Sequence, residues 1–164
     1  MSEKESKLYN YLAIDDREPP FIAEKVANFC SIPIQIERLD EGDYISGDVI
    51  VQRKEISDFA MSILDKRLFG SDEKEGQIQR MTSKHRKCYL LIHGYLEQST
   101  VKIHPHCVSG AIAKICAVYN VNVLWVNDED NMVYTLLKLF EWEGKLQVLK
   151  PKKHKVPREE NQNV

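Results

Sequence analysis

Residues Cys88-Tyr89-Leu90-Leu91-Ile92 form an unbroken apolar run. A strand of that composition is wet on neither face, so it belongs inside a sheet covered on both sides. The rest of the chain supplies the covers. Ile56, Phe59, Ala60, Ile63 and Leu64 recur at amphipathic helical spacing. So do Phe21, Ile22, Val26 and Phe29, behind Pro19-Pro20, where a helix start tolerates proline. Val108, Ala111, Ile112, Ile115, Cys116 and Tyr119 repeat the pattern, and a shorter helix is predicted around Gln77–Lys87. Further strands are predicted over Leu8–Ile14, Ile32–Leu39 and Val121–Val126, with a hairpin centred on Ser46-Gly47. Asp128-Glu129-Asp130 places acids in the first turn of a last helix reaching about Trp142. That helix is apolar on more than one side, which predicts burial both in its own core and against something else. Strands interleaved with helices in this order predict a single α/β domain: a central mixed β-sheet flanked by helices.

The bulk numbers agree with one domain. At 164 residues, 43% apolar and 29% charged, the chain reads as a globular protein with a proper core. It has no run of eighteen apolar residues that could span a membrane, and its first residues lack a secretory apolar region, so an intracellular protein is expected. Residues 1–7 are expected to be a disordered tail, 8–144 the domain, and 145–164 a basic flexible tail or linker. The four cysteines fall at scattered spacings, which argues against zinc and for small core residues. Net charge is −2, which favours neither side on nucleic acid, although basic residues cluster locally at Arg53-Lys54, Lys66-Arg67, Lys84–Lys87 and from Lys150 to Arg158. Trp125 and Trp142 are expected to pack in a core or interface.

Charged residues gather where the predicted strands end: Asp15 and Glu18 after the first, Asp43 opening the hairpin, Gln52-Arg53-Lys54 closing it, and Asp58 one turn into the next helix. Converging carboxylates repel unless a cation joins them, and hard oxygen donors suit Mg²⁺ or Mn²⁺. The spacing sharpens this. Gly42-Asp43, then Gln52-Arg53-Lys54, then Asp58 resembles the G-D…E-R-K-x-x-x-D signature of the XPF/Hef nuclease family. Asp15-Asp16-Arg17-Glu18 resembles its first acidic motif. Asp65-Lys66-Arg67-Leu68-Phe69 with Gln77 resembles a following segment, Leu90–Gly94 a later strand, and His104-Pro105…Gly110–Ala113 a helix-start segment, which implies a structural role for His104 and His106. The resemblance runs from about Tyr9 to Gly144.

The resemblance implies a restriction-endonuclease-like fold and a metal-dependent endonuclease cutting branched DNA near duplex/single-strand junctions such as flaps and forks. By position, Asp43, the residue at 52 and the Arg53 carbonyl would hold Mg²⁺ or Mn²⁺. Lys54 would work beside the nucleophilic water, with Asp15, Glu18 and Asp58 completing an acidic cluster. Arg17, Arg67 and Gln77 would face DNA. Family members dimerise through the last two helices, which points to Val108, Ile112, Ile115, Tyr119, Leu136 and Phe140 in a homodimer interface. A helix-hairpin-helix module often follows such a domain. A sliding clamp is a conceivable partner, although the tail shows no convincing motif for one.

Two departures stand out. The acidic loop Gly70–Gly76 separates Phe69 from Gln77 and is expected to be mobile and displaced from a duplex. Gln52 stands where the family signature has Glu, which removes one unit of charge from a dication's site and predicts poor or absent cutting. With every other motif residue kept, a single isosteric exchange looks more like an engineered trap than gradual decay. The alternatives are a natural variant and a non-catalytic DNA-binding or scaffold subunit of a heteromeric nuclease.

Overall fold

The computed structural model describes residues 11–30, 32–85 and 87–145. Strands β1 (Leu12–Asp15), β2 (Ile34–Glu37), β3 (Tyr44–Ser46), β4 (Val49–Glu55), β5 (Lys87–His93) and β6 (Asn122–Val126) form one sheet in the order β2-β1-β3-β4-β5-β6. Helices α1 (Pro20–Phe29), α2 (Ile56–Leu64), α3 (Gln77–Lys84), α4 (Pro105–Tyr119) and α5 (Glu129–Trp142) alternate with them as the sequence predicts. The sheet is mixed. Strand β1 is parallel to β2, β3 is antiparallel to both neighbours, and β4, β5 and β6 run parallel.

The pleat of β4 and β5 sorts side chains into two cores. Val49, Val51 and Leu91 join Leu12, Ile14 and Tyr44 on one face, beneath α1 and α5. Ile50, Leu90 and Ile92 lie on the other, beneath α2, α3 and α4. The apolar run of β5 is thereby covered twice, as its composition requires. Helix α5 spends its broad apolar stripe on this fold: Met132, Val133, Leu136, Leu137 and Phe140 are all buried in the core shared with Ile22 and Val26 of α1. Lys25 ties the two helices by bonding Glu129 and Asp130, each at 2.9 Å.

Several expectations need adjustment. The strand predicted over 32–39 shrinks to β2, because Pro33 has no N–H to donate to a ladder. As an edge strand it leaves Ile36 outside, 63% exposed. The hairpin turn is Gly47-Asp48, one residue later than expected, with Gly47 at φ 59°. The 70–76 loop folds into a closed turn in which Gly70 pairs with Glu75 and the Ser71 N–H donates to the Lys74 carbonyl at 2.8 Å. Cys30 and Cys88 are buried as expected, whereas Cys107 and Cys116 are on the surface. Trp142 is 87% exposed and Trp125, on the edge strand β6, is also exposed, its Nε1 donating to the Gly94 carbonyl at 2.7 Å. His104 does serve the start of α4: its Nδ1 accepts the His106 N–H at 3.1 Å. Lys145, placed in the tail, is buried against Asp48 at 2.9 Å. The expected tails at 1–7 and 146–164, and Arg86 of one basic cluster, lie outside the described residues.

Candidate active site

Strands β3 and β4 are antiparallel, so Asp43 at the mouth of one lies beside the far end of the other. Its backbone extends the pairing: the Asp43 N–H donates to the Val51 carbonyl, and its own carbonyl accepts the Asp15 N–H, both at 2.9 Å. Gly42 makes this approach possible. It sits at φ 69°, and a Cβ there would come within 2.5 Å of the buried Ile50 side chain. Alternation along β4 then divides the charged residues between the two faces of the sheet. Gln52 and Lys54 project on the Asp43 side, and Arg53 projects on the other.

On the first face, Asp43 Oδ2 accepts hydrogen bonds from Gln52 Nε2 at 3.1 Å and from the Arg53 backbone N–H at 2.8 Å. The Gln52 amide has to present its nitrogen, because a carboxylate can only accept. Burial pushes the Asp43 carboxyl up to about 7, and the nearby Glu18 charge adds to the rise, against the Arg53 N–H and the Arg53 and Lys54 charges. The Lys54 side chain is 2% exposed, with its Nζ 3.8 Å from Asp58. Burial lowers its pKa, partly opposed by Asp58 and Asp43. Asp58 in turn lies 3.7 Å from Arg67, whose Nε bonds Asp65 at 2.6 Å.

The opposite face carries a buried polar chain. Glu18 Oε2 accepts from Tyr44 Oη at 2.6 Å and from Arg53 Nε at 2.8 Å, and Glu18 Oε1 accepts from the second Arg53 amino group at 3.2 Å. The remaining Arg53 nitrogen lies 2.8 Å from His93 Nε2. Burial, and then the Arg53 charge, lower the His93 pKa, so the neutral ring accepts from the guanidinium. Glu18 is therefore paired with Arg53 on the far side of the sheet and does not share a hydrogen bond with Asp43, although its charge is still felt there. Asp15 is also spoken for, by the Leu39 N–H at 3.2 Å and Arg17 Nε at 2.8 Å. Arg17 spends another amino group on the Leu39 carbonyl at 2.7 Å. The acidic cluster expected from sequence thus resolves into one carboxylate at the centre, Asp43, with Asp58 at its edge.

Those donors do not fit a Mg²⁺ or Mn²⁺ centre as they stand. Asp43 offers one carboxylate, which holds a proton readily near neutrality, and Gln52 turns a donor toward it. Among the described residues no group of three or more His, Cys, Asp or Glu side chains could hold a metal ion. Hard dications favour several oxygen ligands with carboxylate charge among them.

Other predicted positions fall elsewhere. Gln77 opens α3 with its N–H on the Arg67 carbonyl at 3.0 Å, but its amide oxygen is buried without a partner, so that atom does not face a ligand. Val108, Ile115, Leu136 and Phe140 are buried in the chain's own two cores, which withdraws them from any interface. Tyr119 stacks on Phe69 with centroids 5.9 Å apart and accepts from Gln79, and Ile112 is half-buried against the second core. The large apolar residues that α4, β6 and α5 leave exposed are Val118, Trp125, Tyr134 and Trp142. Sequence reasoning missed Tyr44, whose inward strand position requires a partner for its hydroxyl. It also missed His93, which occupied the variable place in an otherwise apolar strand motif.

A mixed sheet with helices on both faces thus carries a carboxylate, a glutamine and a lysine side by side at its strand ends. Residues 14–139 match the ERCC4 domain, and the chain belongs to that family. It is 29% identical over 133 residues to a Methanocaldococcus jannaschii protein named as an ATP-dependent RNA helicase, covering 80% of this chain and 15% of that protein. It is 27% identical over 129 residues to the 3'-flap repair endonuclease Xpf of Saccharolobus solfataricus, covering 77% of this chain and 53% of that protein. The chain therefore spans about half or less of these relatives. Its fold matches XPF from Aeropyrum pernix at a TM-score of 0.68 and 22% identity, covering 82% of this chain and 65% of the other. The complex of that XPF with DNA matches at 0.65 and 24%, covering 83% and 66%. No helix among the described residues is long and apolar enough to cross a membrane.

Proposed function

We propose that this chain is the nuclease domain of an intracellular structure-specific DNA endonuclease, built to act beside duplex/single-strand junctions and blocked at Gln52. The observation that carries this is the bond from Gln52 Nε2 to Asp43 Oδ2, set beside a buried lysine. In the Gln52→Glu variant the same two strands would present two carboxylates and the Arg53 carbonyl, a set suited to Mg²⁺ or Mn²⁺, which would supply an activated water. Lys54, with its pKa lowered by burial, is placed to hold that water or a phosphate oxygen, and Asp58 holds Lys54.

The protein as it stands is expected to bind a labelled flap or fork more tightly than plain duplex of equal length, in chelator as well as in Mg²⁺. Equal affinity for all three DNAs would remove the junction-specific reading. The second reading, a non-catalytic DNA-binding or scaffold subunit, draws on the same bond, because an Asp–Gln pair closes β3 to β4 without a cation. It differs in predicting that Gln52→Glu gains no cleavage.

We also assign the surface of α4, β6 and α5 to a homodimer. Val118 on α4 and Tyr134 and Trp142 on α5 are 67%, 63% and 87% exposed, large apolar groups on the helices either side of the edge strand β6 that a partner would cover. Sedimentation at micromolar concentration is expected to give a dimer that Trp142→Glu converts to monomer. A wild-type monomer would remove the assignment.

A further inference from the structure

Only two residues other than glycine take a positive φ among the described residues: Asn120 at 55° and Lys66 at 65°. Asn120 caps the C-terminus of α4, and its short side chain suits the left-handed conformation. Lysine does not. Lys66 follows Asp65, the C-cap of α2, in a place that glycine fills with least strain. The backbone holds it there from both sides. The Lys66 N–H reaches the Ile63 carbonyl at 3.4 Å, and the Lys66 carbonyl accepts the Gly70 N–H at 2.9 Å.

Charge pairing separates Lys66 from its basic neighbours. Arg67 bonds Asp65 and lies beside Asp58, and Lys54 is buried against Asp58. Lys114 sits over the Phe69 ring at 4.3 Å. Lys66 is exposed and has no carboxylate partner among the described residues. Its position is nonetheless at the site, because the next residue, Arg67, lies 3.7 Å from Asp58, which is itself 3.8 Å from Lys54 Nζ. A cation in strained backbone, unpaired, next to a cluster whose carboxylates already have partners, has its charge left for something outside the chain.

Resting on the DNA reading of the site, we infer that Lys66 is a phosphate-contact residue: it supplies the free positive charge at the mouth of the site, while Arg67 mainly organises Asp58 and Asp65. The ligand chemistry is the nucleic-acid backbone, and the contact carries no base information.

Lys66→Gln, Lys66→Gly, Lys66→Arg and Arg67→Gln are compared by fluorescence anisotropy on a labelled flap across a salt series, with melting curves alongside. This binding readout does not depend on cleavage. Loss of one phosphate contact scales affinity as salt to the power of about −0.9, so Lys66→Gln and Lys66→Gly are expected to weaken binding about eightfold at ~0.1 M salt and to reduce the salt slope by about 0.9. Lys66→Arg keeps both, and Arg67→Gln changes the slope less. Lys66→Gly melts at a higher temperature, because glycine relieves the backbone strain, so its weaker binding is not misfolding. An unchanged slope in Lys66→Gln, or no rescue by arginine, overturns the inference. If the unmodified protein prefers the flap and only the Lys66 result fails, the DNA reading survives. If the unmodified protein binds no flap, both fall.

Discussion

The Gln52→Glu variant is expected to be less stable than the protein itself in chelator and to regain its stability with Mn²⁺. The exchange turns a hydrogen bond of 3.1 Å between Gln52 and Asp43 into two facing carboxylates. Asp43 already has its pKa raised to about 7 by burial and by Glu18. A second carboxylate at that distance forces one of the pair to keep a proton or the strands to part. Loss of the bond plus the new repulsion should cost about 2 kcal/mol. In a domain of this size that corresponds to a melting temperature lower by roughly 4–8 °C. A divalent cation reverses the sign. At 100 times its dissociation constant it returns about 2.7 kcal/mol to the folded state. The protein with Gln52 is expected to show no Mn²⁺-dependent shift, since a unit charge about 4 Å away at an effective dielectric near 20 is worth about 4 kcal/mol per partner charge, and that charge is absent. A Mn²⁺ shift in the unmodified protein would mean that Gln52 does not block the site.

Arg53→Met is expected to be the most destabilising single change at the site. Arg53 is only 13% exposed at its side chain and joins Glu18 of the β1–α1 turn to His93 of β5 across the face that α1 and α5 cover. Removing it leaves a buried carboxylate with only the Tyr44 hydroxyl for company. Uncompensated buried charge of this kind typically costs about 3–5 kcal/mol. Chemical denaturation should therefore show the midpoint falling steeply. Adding Glu18→Gln to Arg53→Met should recover part of the loss, because the stranded charge is then gone. A loss below about 1 kcal/mol, within the range of an exposed ion pair, would show that the chain of bonds is ornamental.

The fold was legible because the apolar patterns were strong. The run of β5 and the stripes of α2, α4 and α5 left few ways to assemble a sheet, and element order followed directly. Boundaries were less legible where a single residue decided them: Pro33 cut β2 short, and Gly47 moved the hairpin turn by one. The site was half legible. Spacing picked out Asp43, Gln52, Lys54 and Asp58, which the fold brings near one another, but it could not see that Arg53 faces away and takes Glu18 with it. That follows from the alternation of β4 together with three-dimensional pairing to β5, which no local pattern encodes. The interface residues were misread for a related reason. Helical periodicity marks which positions are apolar, not which of two apolar surfaces each one meets, so Val108, Ile115, Leu136 and Phe140 were assigned outward when the chain's own cores use them. The exposed Val118, Tyr134 and Trp142 carry no signal that separates them from core residues until the helices are packed.

The central claim is that a nuclease site is present and that one amide holds it shut. It is tested most directly by incubating the unmodified protein and Gln52→Glu with end-labelled flap, fork and plain duplex DNA, in Mg²⁺, in Mn²⁺ and in chelator. Cleavage is expected from Gln52→Glu alone, only with metal, and only beside the junction of the branched DNAs, while the unmodified protein binds the flap and leaves it intact. Binding of branched DNA by both proteins with cleavage by neither would contradict it, and would make the chain a non-catalytic subunit whose cutting is done by another.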